Sequence, residues 1–247
     1  MDLIFSMIFL ICQIIPCMQF HDIDIKLLLA AALKKGRIDG LNALPLCMSL
    51  PVRNPLAKHW GLDANCVFLN HGSFGATPIA IREEQRKWQD LLEDEPVRFY
   101  EDLAMGFMEN TRMSLAKMLQ GNAEDLALVE NATTGVNTVL RSLVFNEGDE
   151  ILVPDHAYQA CRNAIDFVAK RWGAKVVTVN IPFPIEGPHI ALDAVMAGVS
   201  ERTVLAMIDT VTSPTGLLMP FEQLVQQLEA KGVAVLLDAA HGIGMIP

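Results

Sequence analysis

The sequence is short of positive charge and has no regular cysteine pattern. Its 247 residues contain 19 Lys and Arg against 29 Asp and Glu, a formal net charge of −10. That balance excludes non-specific nucleic-acid binding, which requires a basic surface. The five cysteines are odd in number and show no CxxC spacing. We therefore predict no disulfide framework and no zinc or other metal site, and the pattern favours a reducing compartment.

The sequence also lacks an apolar run long enough to cross a membrane. The most apolar segment, Leu3–Met18, is interrupted by Gln13 and Pro16, and no Lys or Arg precedes it. It is shorter than the ~20 residues that span a bilayer, and it lacks the basic start of a secretory signal. We expect a cytoplasmic protein without a membrane partner. Secretion or anchoring through Leu3–Met18 is the alternative.

The glycine motif of a dinucleotide-binding domain is absent as well. Such a domain requires G-x-G-x-x-G directly after its first strand. The stretch Asn70-His-Gly-Ser-Phe-Gly75 has the wrong spacing, and Gly242-Ile-Gly244 comes at the end of the chain. This excludes a Rossmann-type nucleotide site.

Beyond residue 53 the sequence becomes regular, which indicates an N-terminal extension of residues 1–53 followed by a domain of residues 54–247. Short apolar runs alternate with amphipathic segments. The runs predict strands at 67–69, 126–129, 150–153, 175–179, 204–208 and 233–237. The amphipathic segments predict helices at 79–93, 97–120, 134–145, 158–172, 192–199 and 221–231. This alternation is typical of an α/β fold with a mostly parallel sheet flanked by helices.

The stretch Asn131-Ala-Thr-Thr-Gly135 follows a predicted strand and opens a predicted helix. Backbone N–H groups and the positive end of the helix dipole meet at such a position. The hydroxyls of Thr133 and Thr134 add donors, so the stretch indicates a phosphate-binding turn. An ordinary threonine N-cap is the alternative.

Polar groups follow three further strands. Asp238 ends the apolar run Val233–Leu237, and a carboxylate there points into the crevice where open α/β sheets bind ligands. His156 and Tyr158 follow the 150–153 strand, and either ring could lie flat on an aromatic ligand. The hydroxyls of Thr212-Ser-Pro-Thr-Gly216 follow the 204–208 strand. For each group the alternative is an ordinary loop role, as a cap, a packed aromatic or a Ser-Pro turn.

Together these motifs resemble those of the class V aminotransferases, a branch of the fold-type-I enzymes that use pyridoxal 5′-phosphate (PLP). The resemblance covers about Asn54 to Pro247 and is strongest to isopenicillin N epimerase-like and cysteine desulfurase-like proteins. The motifs that carry it are Phe68–Gly75, Asn131–Asn137, Asp155–Tyr158, Thr212–Gly216 and Asp238–His241. It implies the large PLP-binding domain of that fold.

The resemblance implies a role for each motif. Thr133 and Thr134 would bind the cofactor phosphate, and Tyr158 would stack on its ring, with His156 as the alternative. Asp238 would pair with the pyridine nitrogen and keep it protonated.

Further roles follow from the same resemblance. His241 would lie near the phenolic oxygen of the ring, and Ser213 stands where many relatives have Asn. Asn70, His71 and Gly72 match the segment that approaches the amino-acid substrate. The catalytic residues implied are Asp238, His241 and Tyr158.

One departure concerns the lysine that holds the cofactor aldehyde. The resemblance places it beyond the aspartate, before a small C-terminal domain, whereas no lysine follows Lys231 here. We therefore expect weak PLP binding and an incomplete or inactive form of a parent enzyme. That parent would perform epimerisation, transamination or C–S cleavage on an amino acid, as a homodimer. The alternative is a non-catalytic subunit that pairs with a full-length homologue.

Overall fold

The computed structural model describes residues 54–246, so the extension of residues 1–53 and the apolar segment Leu3–Met18 lie outside the described residues. The described residues up to Trp88 belong to one unit and those from Gln89 to a second. Within the described part of the chain, no helix has the length and apolarity that crossing a membrane requires.

The described residues of the first unit, 54–88, are mainly loop before residue 79. A short 3₁₀ helix, Pro55–His59, begins after Asn54, whose side chain accepts a hydrogen bond from Leu56 N–H. The Trp60 indole N–H donates to the Ala76 carbonyl at 2.9 Å. The prediction of a strand at 67–69 is wrong, because these residues lie in a loop in which Leu69 is 87% exposed. A short apolar run becomes a strand where a neighbouring strand pairs with it and one face is buried.

The second unit is built on four parallel strands: β1 Glu150–Pro154, β2 Lys175–Val179, β3 Thr203–Asp209 and β4 Ala234–Asp238. Their order in the sheet is β2-β1-β3-β4. All four agree with the predicted strands to within one or two residues. The predicted strand at 126–129 is not one of them: residues 126–128 have no regular structure, and Val129 forms an isolated β-bridge outside the four-stranded sheet.

The described residues contain six α-helices of ten or more residues: α1 Ile79–Asp94, α2 Ala104–Leu119, α3 Ala132–Ser142, α4 Gln159–Trp172, α5 Pro188–Ala197 and α6 Phe221–Ala230. A helical turn, Pro96–Arg98, and a π-helical turn, Phe99–Leu103, precede α2. The predicted helix at 192–199 begins earlier, because Pro188 occupies the first turn. Helix α4 ends at Gly173, which adopts the left-handed conformation with φ 73°.

Two apolar clusters cover the opposite faces of the sheet. Alternate strand residues point to opposite faces. On one face Ile151, Val153, Leu205, Met207 and Leu236 pack against helices α3 and α4. On the other face Leu152, Ala206 and Ile208 pack against α5 and α6. The result is a layered α/β domain with a largely parallel sheet, as the sequence predicts.

The strand order sets where loops can meet. The chain passes from β1 outward to β2 and then returns to β3 on the other side of β1. Loops after β1 and β3 therefore diverge at the carboxyl edge, and crevices at such switch points are where open α/β sheets bind ligands.

Candidate functional site

Two aspartates end neighbouring strands side by side. Asp209 ends β3, Asp238 ends β4, and the two residues are paired in register. Strand alternation places them on the face of Met207 and Leu236, towards helices α3 and α4. Both are buried, with exposures of 3% for Asp209 and 5% for Asp238. Two carboxyl groups thus share one water-poor edge of the sheet.

The hydrogen bonds around the two carboxyl groups are unequal. Asp238 accepts from the Cys161 thiol, with an Sγ–Oδ2 distance of 3.5 Å, and from Ala240 N–H at 3.0 Å. Asp209 Oδ2 is buried and has no hydrogen-bond partner within the described residues. Donors stabilise a carboxylate, and their absence destabilises one. Asp238 is therefore the better placed of the two to carry a negative charge.

Burial raises the pKa of Asp209 from 3.8 to about 8, and the negative charge of Asp238 adds to the effect. A hydrogen bond from its own backbone acts weakly in the opposite direction. Burial likewise raises the pKa of the Cys161 thiol to about 12, again with help from Asp238. At neutral pH Cys161 is thus a thiol that can donate.

Helix α3 reaches this edge through its first turn. The Asn131 side chain caps the helix by accepting from Thr134 N–H at 2.8 Å. The Thr133 hydroxyl hydrogen-bonds the Cys161 thiol and partly offsets the rise in the pKa of that thiol. Thr133, Cys161 and Asp238 therefore form one polar contact chain from the helix N-terminus to the end of β4. This brings together the predicted phosphate-binding turn and the predicted ring-binding carboxylate.

His156 lies in the loop after β1 and is held at both ring nitrogens. Its Nε2 lies 2.8 Å from the Ile181 carbonyl oxygen, and its Nδ1 lies 2.9 Å from Thr215 Oγ1. A carbonyl can only accept, so Nε2 carries a hydrogen. The Thr215 hydroxyl is also 2.7 Å from Thr212 Oγ1, which accepts from Leu217 N–H. This His156 network joins the loops after β1 and β3.

The other predicted site residues occupy loops at the same edge. Tyr158 occupies the N-cap position of helix α4 and is 46% exposed. Ser213 lies in the turn that the Val211–Leu218 bridge closes. His241 is half-buried in the turn after β4. All three residues lie at the carboxyl edge of the sheet, where the sequence places them. The role of each side chain stays a prediction.

Asn70, His71 and Gly72 belong to the first unit and are exposed. The His71 ring packs edge-on against Phe68, with ring centroids 4.7 Å apart, and against Trp60 at 6.0 Å. Phe74 N–H donates to the Asn70 carbonyl at 3.0 Å and closes the turn. Their predicted contact with substrate stays a prediction.

The sequence interpretation missed two contributors to the site, Asp209 and Cys161, and one contact, between Thr215 and His156. Asp209 ends an apolar run just as Asp238 does, so the rule that identified one applied equally to the other. Cys161 is buried and donates to Asp238. Thr215 contacts His156, which is 59 residues away in sequence. No local pattern could have indicated that last contact.

Comparisons with known proteins identify the family of this chain. The aminotransferase class-V family matches residues 96–247. An L-cysteine desulfhydrase from Arabidopsis thaliana is 32% identical over 193 residues, 72% of this chain and 42% of that protein. The isopenicillin N epimerase of Streptomyces clavuligerus is 32% identical over 185 residues, 75% of this chain and 46% of the epimerase. The chain thus spans less than half the length of these relatives.

Among solved structures, a C-DES mutant with glycine covalently linked to the PLP cofactor superimposes with a TM-score of 0.68. The match covers 78% of this chain and 52% of that one at 21% identity. At this identity the similarity shows the fold alone. It confirms the predicted fold, that of the type-I PLP enzymes.

Proposed function

The chain belongs to the aminotransferase class-V family of PLP-dependent enzymes, and on that premise we propose that residues 54–247 form a PLP-binding domain that acts on an amino acid. Relatives named L-cysteine desulfhydrase favour C–S cleavage as the reaction of the parent enzyme. The epimerase relative supports epimerisation as the alternative. Transamination is a third possibility that the family name includes.

The observation that carries this proposal is the environment of Asp238. It is a buried carboxylate with two donors, at the carboxyl end of a parallel strand. None of the described side chains that contact the Asp238 carboxylate is a cation. A protonated pyridine nitrogen has the charge and the N–H donor that suit it. The residues present therefore fit the ring of PLP.

The first turn of α3 fits the phosphate of the same cofactor. Its N-terminus has the positive end of the helix dipole, and Thr133 and Thr134 supply hydroxyl donors. Asn131 already accepts the Thr134 N–H. We therefore assign phosphate binding mainly to the two hydroxyls and to the remaining N–H groups of the turn.

We assign the remaining loop residues as the resemblance suggests. Tyr158 stacks on the ring, and Ser213 and His241 contact its polar edge. Both ring nitrogens of His156 contact neighbouring loops. These contacts support a role for His156 in holding the loops together, either instead of stacking on the ring or in addition to it. Asn70, His71 and Gly72 are assigned to the substrate.

Bound PLP supplies an electron-withdrawing ring that eases bond cleavage at Cα or Cβ of an amino acid. This chain contributes the anion at Asp238, the threonine hydroxyls and a water-poor sheet edge. Within its 247 residues no lysine follows Lys231. We therefore expect the 247-residue protein to bind PLP weakly and without a covalent bond.

The experiment is a PLP titration of the 247-residue protein, followed by absorbance, with matched variants. Asp238→Asn and the double variant Thr133→Ala/Thr134→Ala should each weaken binding by about tenfold or more. Asp166→Asn, an exposed residue of α4, and Thr138→Ala, an exposed residue of α3, are the controls. Equal affinity in all five proteins would contradict the proposed site.

Borohydride reduction and peptide mass spectrometry then test the bonding. The expected result is no specific pyridoxyl-lysine. A single modified lysine would show that another lysine holds the cofactor, and the expectation of weak non-covalent binding would be wrong.

We also propose that the protein associates as a homodimer and resides in the cytoplasm. Large apolar side chains are exposed in the segment before and within α2, including Val97 (74%), Tyr100 (63%) and Met105 (72%). Exposed apolar patches commonly mark protein contacts. Sedimentation of the purified protein tests the proposed homodimer. Met105→Lys is expected to shift the population towards monomer.

A further inference from the structure

We propose that Asp209 is the proton-bearing member of a buried carboxyl pair, and that it leaves Asp238 as the single anion of the site. Asp209 would then be a positioning residue that acts through Asp238. This assignment rests on the two side chains themselves, and its link to a cofactor ring rests on the proposed function.

The first argument is placement. In-register pairing of β3 with β4 sets Asp209 beside Asp238 on one face of the sheet. Both are at least nine-tenths buried, so water screens their mutual repulsion poorly. Two adjacent carboxylates in such surroundings do not both ionise near neutral pH, and one keeps a proton.

The second argument is the asymmetry of donors. Asp238 accepts from Cys161 and from Ala240 N–H, whereas Asp209 has a hydrogen bond from its own backbone and its Oδ2 accepts from no described group. Hydrogen bonds to the charged form lower its free energy. The charge therefore resides on Asp238 and the proton on Asp209.

The third argument is the identity of the other groups on this face. Helix α4 presents the Cys161 thiol, and α3 presents the Thr133 hydroxyl to that thiol. Strand β1 contributes the apolar Ile151 and Val153. Among the described residues, Asp238 is the charged group that acts on Asp209. Burial and the negative charge of Asp238 together raise the pKa of Asp209. Helices α3 and α4 also carry Arg141, Arg162, Lys170 and Arg171. Among the described residues, none of these four cations forms an ion pair with Asp209 or Asp238.

The consequence concerns the charge presented to a ligand. With Asp209 protonated, the end of the sheet presents one negative charge, which matches one protonated ring nitrogen. With both groups ionised it would present two. Asp209 thus sets the charge of the site through Asp238, whereas Asp238 is the group assigned to the ring nitrogen.

The test uses the 247-residue protein without PLP, with ¹³C-labelled aspartate carboxyl groups followed by NMR as pH is raised. The resonance that Asp209→Asn removes identifies Asp209, and Asp166→Asn should leave it in place. We expect that resonance to report a protonated carboxyl at neutral pH and to titrate with a midpoint of about 8. A midpoint below pH 5 would overturn the proposal.

Asp238→Asn provides an independent arm. Removing the neighbouring charge should lower the Asp209 midpoint by about one unit or more. An unchanged midpoint would show that the two groups do not act as a pair. Because neither arm uses PLP, a failure here is distinguishable from a failure of the protein to bind the cofactor.

Discussion

The His156 imidazole and the Thr215 hydroxyl lie 2.9 Å apart and join the loops that follow β1 and β3. These loops diverge at the switch point of the sheet, so their separation depends on contacts between them. His156 is buried at 8% exposure, and its other nitrogen is held by the Ile181 carbonyl. The pair thus fixes the edge where Tyr158 and Ser213 are displayed.

Thr215→Val should destabilise the protein by about 1 to 3 kcal/mol. Valine has the shape of threonine but cannot hydrogen-bond, so His156 Nδ1 and Thr212 Oγ1 would both lose a partner. Urea unfolding measures the change in the free energy of unfolding. The control is Thr178→Val on β2, where the exposed hydroxyl accepts from Arg162 at 3.2 Å. Because water can replace that exposed contact, the change should stay within about 0.5 kcal/mol. Equal effects at the two positions would contradict the role of the His156 network.

Asp209→Asn should change how stability depends on pH. The pKa of Asp209 is about 8 in the folded protein and 3.8 as its ordinary value. Between these values the folded protein retains a proton that the unfolded chain releases. The free energy of unfolding of the wild type therefore falls as pH rises, by at most about 1.4 kcal/mol per pH unit from this group.

Asparagine removes that dependence, so the stability of the variant relative to wild type should increase from about pH 4 to about pH 8 and then level off. Urea unfolding at several pH values measures the difference. Asp166→Asn, at an exposed site, should show no such trend. If the free energies of unfolding of wild type and Asp209→Asn changed with pH in parallel, the Asp209 carboxyl would ionise in the folded protein as an exposed aspartate does.

Substitutions at Asn131 should separate stability from phosphate binding. Asn131→Ala removes the cap of α3 and should cost about 1 kcal/mol of the free energy of unfolding. Asn131→Asp keeps the acceptor and should retain stability. Its negative charge would, however, repel a phosphate at the same turn and weaken PLP binding by roughly tenfold. If Asn131→Asp bound PLP as tightly as wild type, the phosphate would have to bind elsewhere.

Gly242→Ala should destabilise the turn after β4 by about 1 to 3 kcal/mol. An added Cβ would lie 2.9 Å from Thr210 Oγ1 and 3.2 Å from the Ala239 Cβ. Thr210→Ala removes the first of these obstacles, so the double variant should recover part of the loss. Gly106→Ala on α2 is the control, because its added Cβ meets no atom within 4 Å. Thermal or urea unfolding of wild type, the two single variants, the double variant and the Gly106→Ala control tests the coupling.

The sequence predicted the four sheet strands and the helices between them because the spacing of apolar residues along each segment reflects which of its residues are buried. Helix α4 repeats apolar residues at Cys161, Ala164, Ile165 and Val168, and these four residues are buried. The runs at 67–69 and 126–129 are apolar too, but pairing partners decide whether a run becomes a strand. That information is not local, so both predictions were wrong.

What the sequence determined by itself was the alternation of strands and helices, the strand-end position of Asp238 and the threonines at the start of α3. These are properties of one segment each, set by backbone geometry and hydrophobic period. The tertiary structure decided the register that places Asp209 beside Asp238, the approach of Cys161 to that pair, and the bond between His156 and Thr215. Each of these joins segments far apart in the chain. Their energies depend on burial and on the partner's charge, and both arise when the sheet and its covering helices assemble.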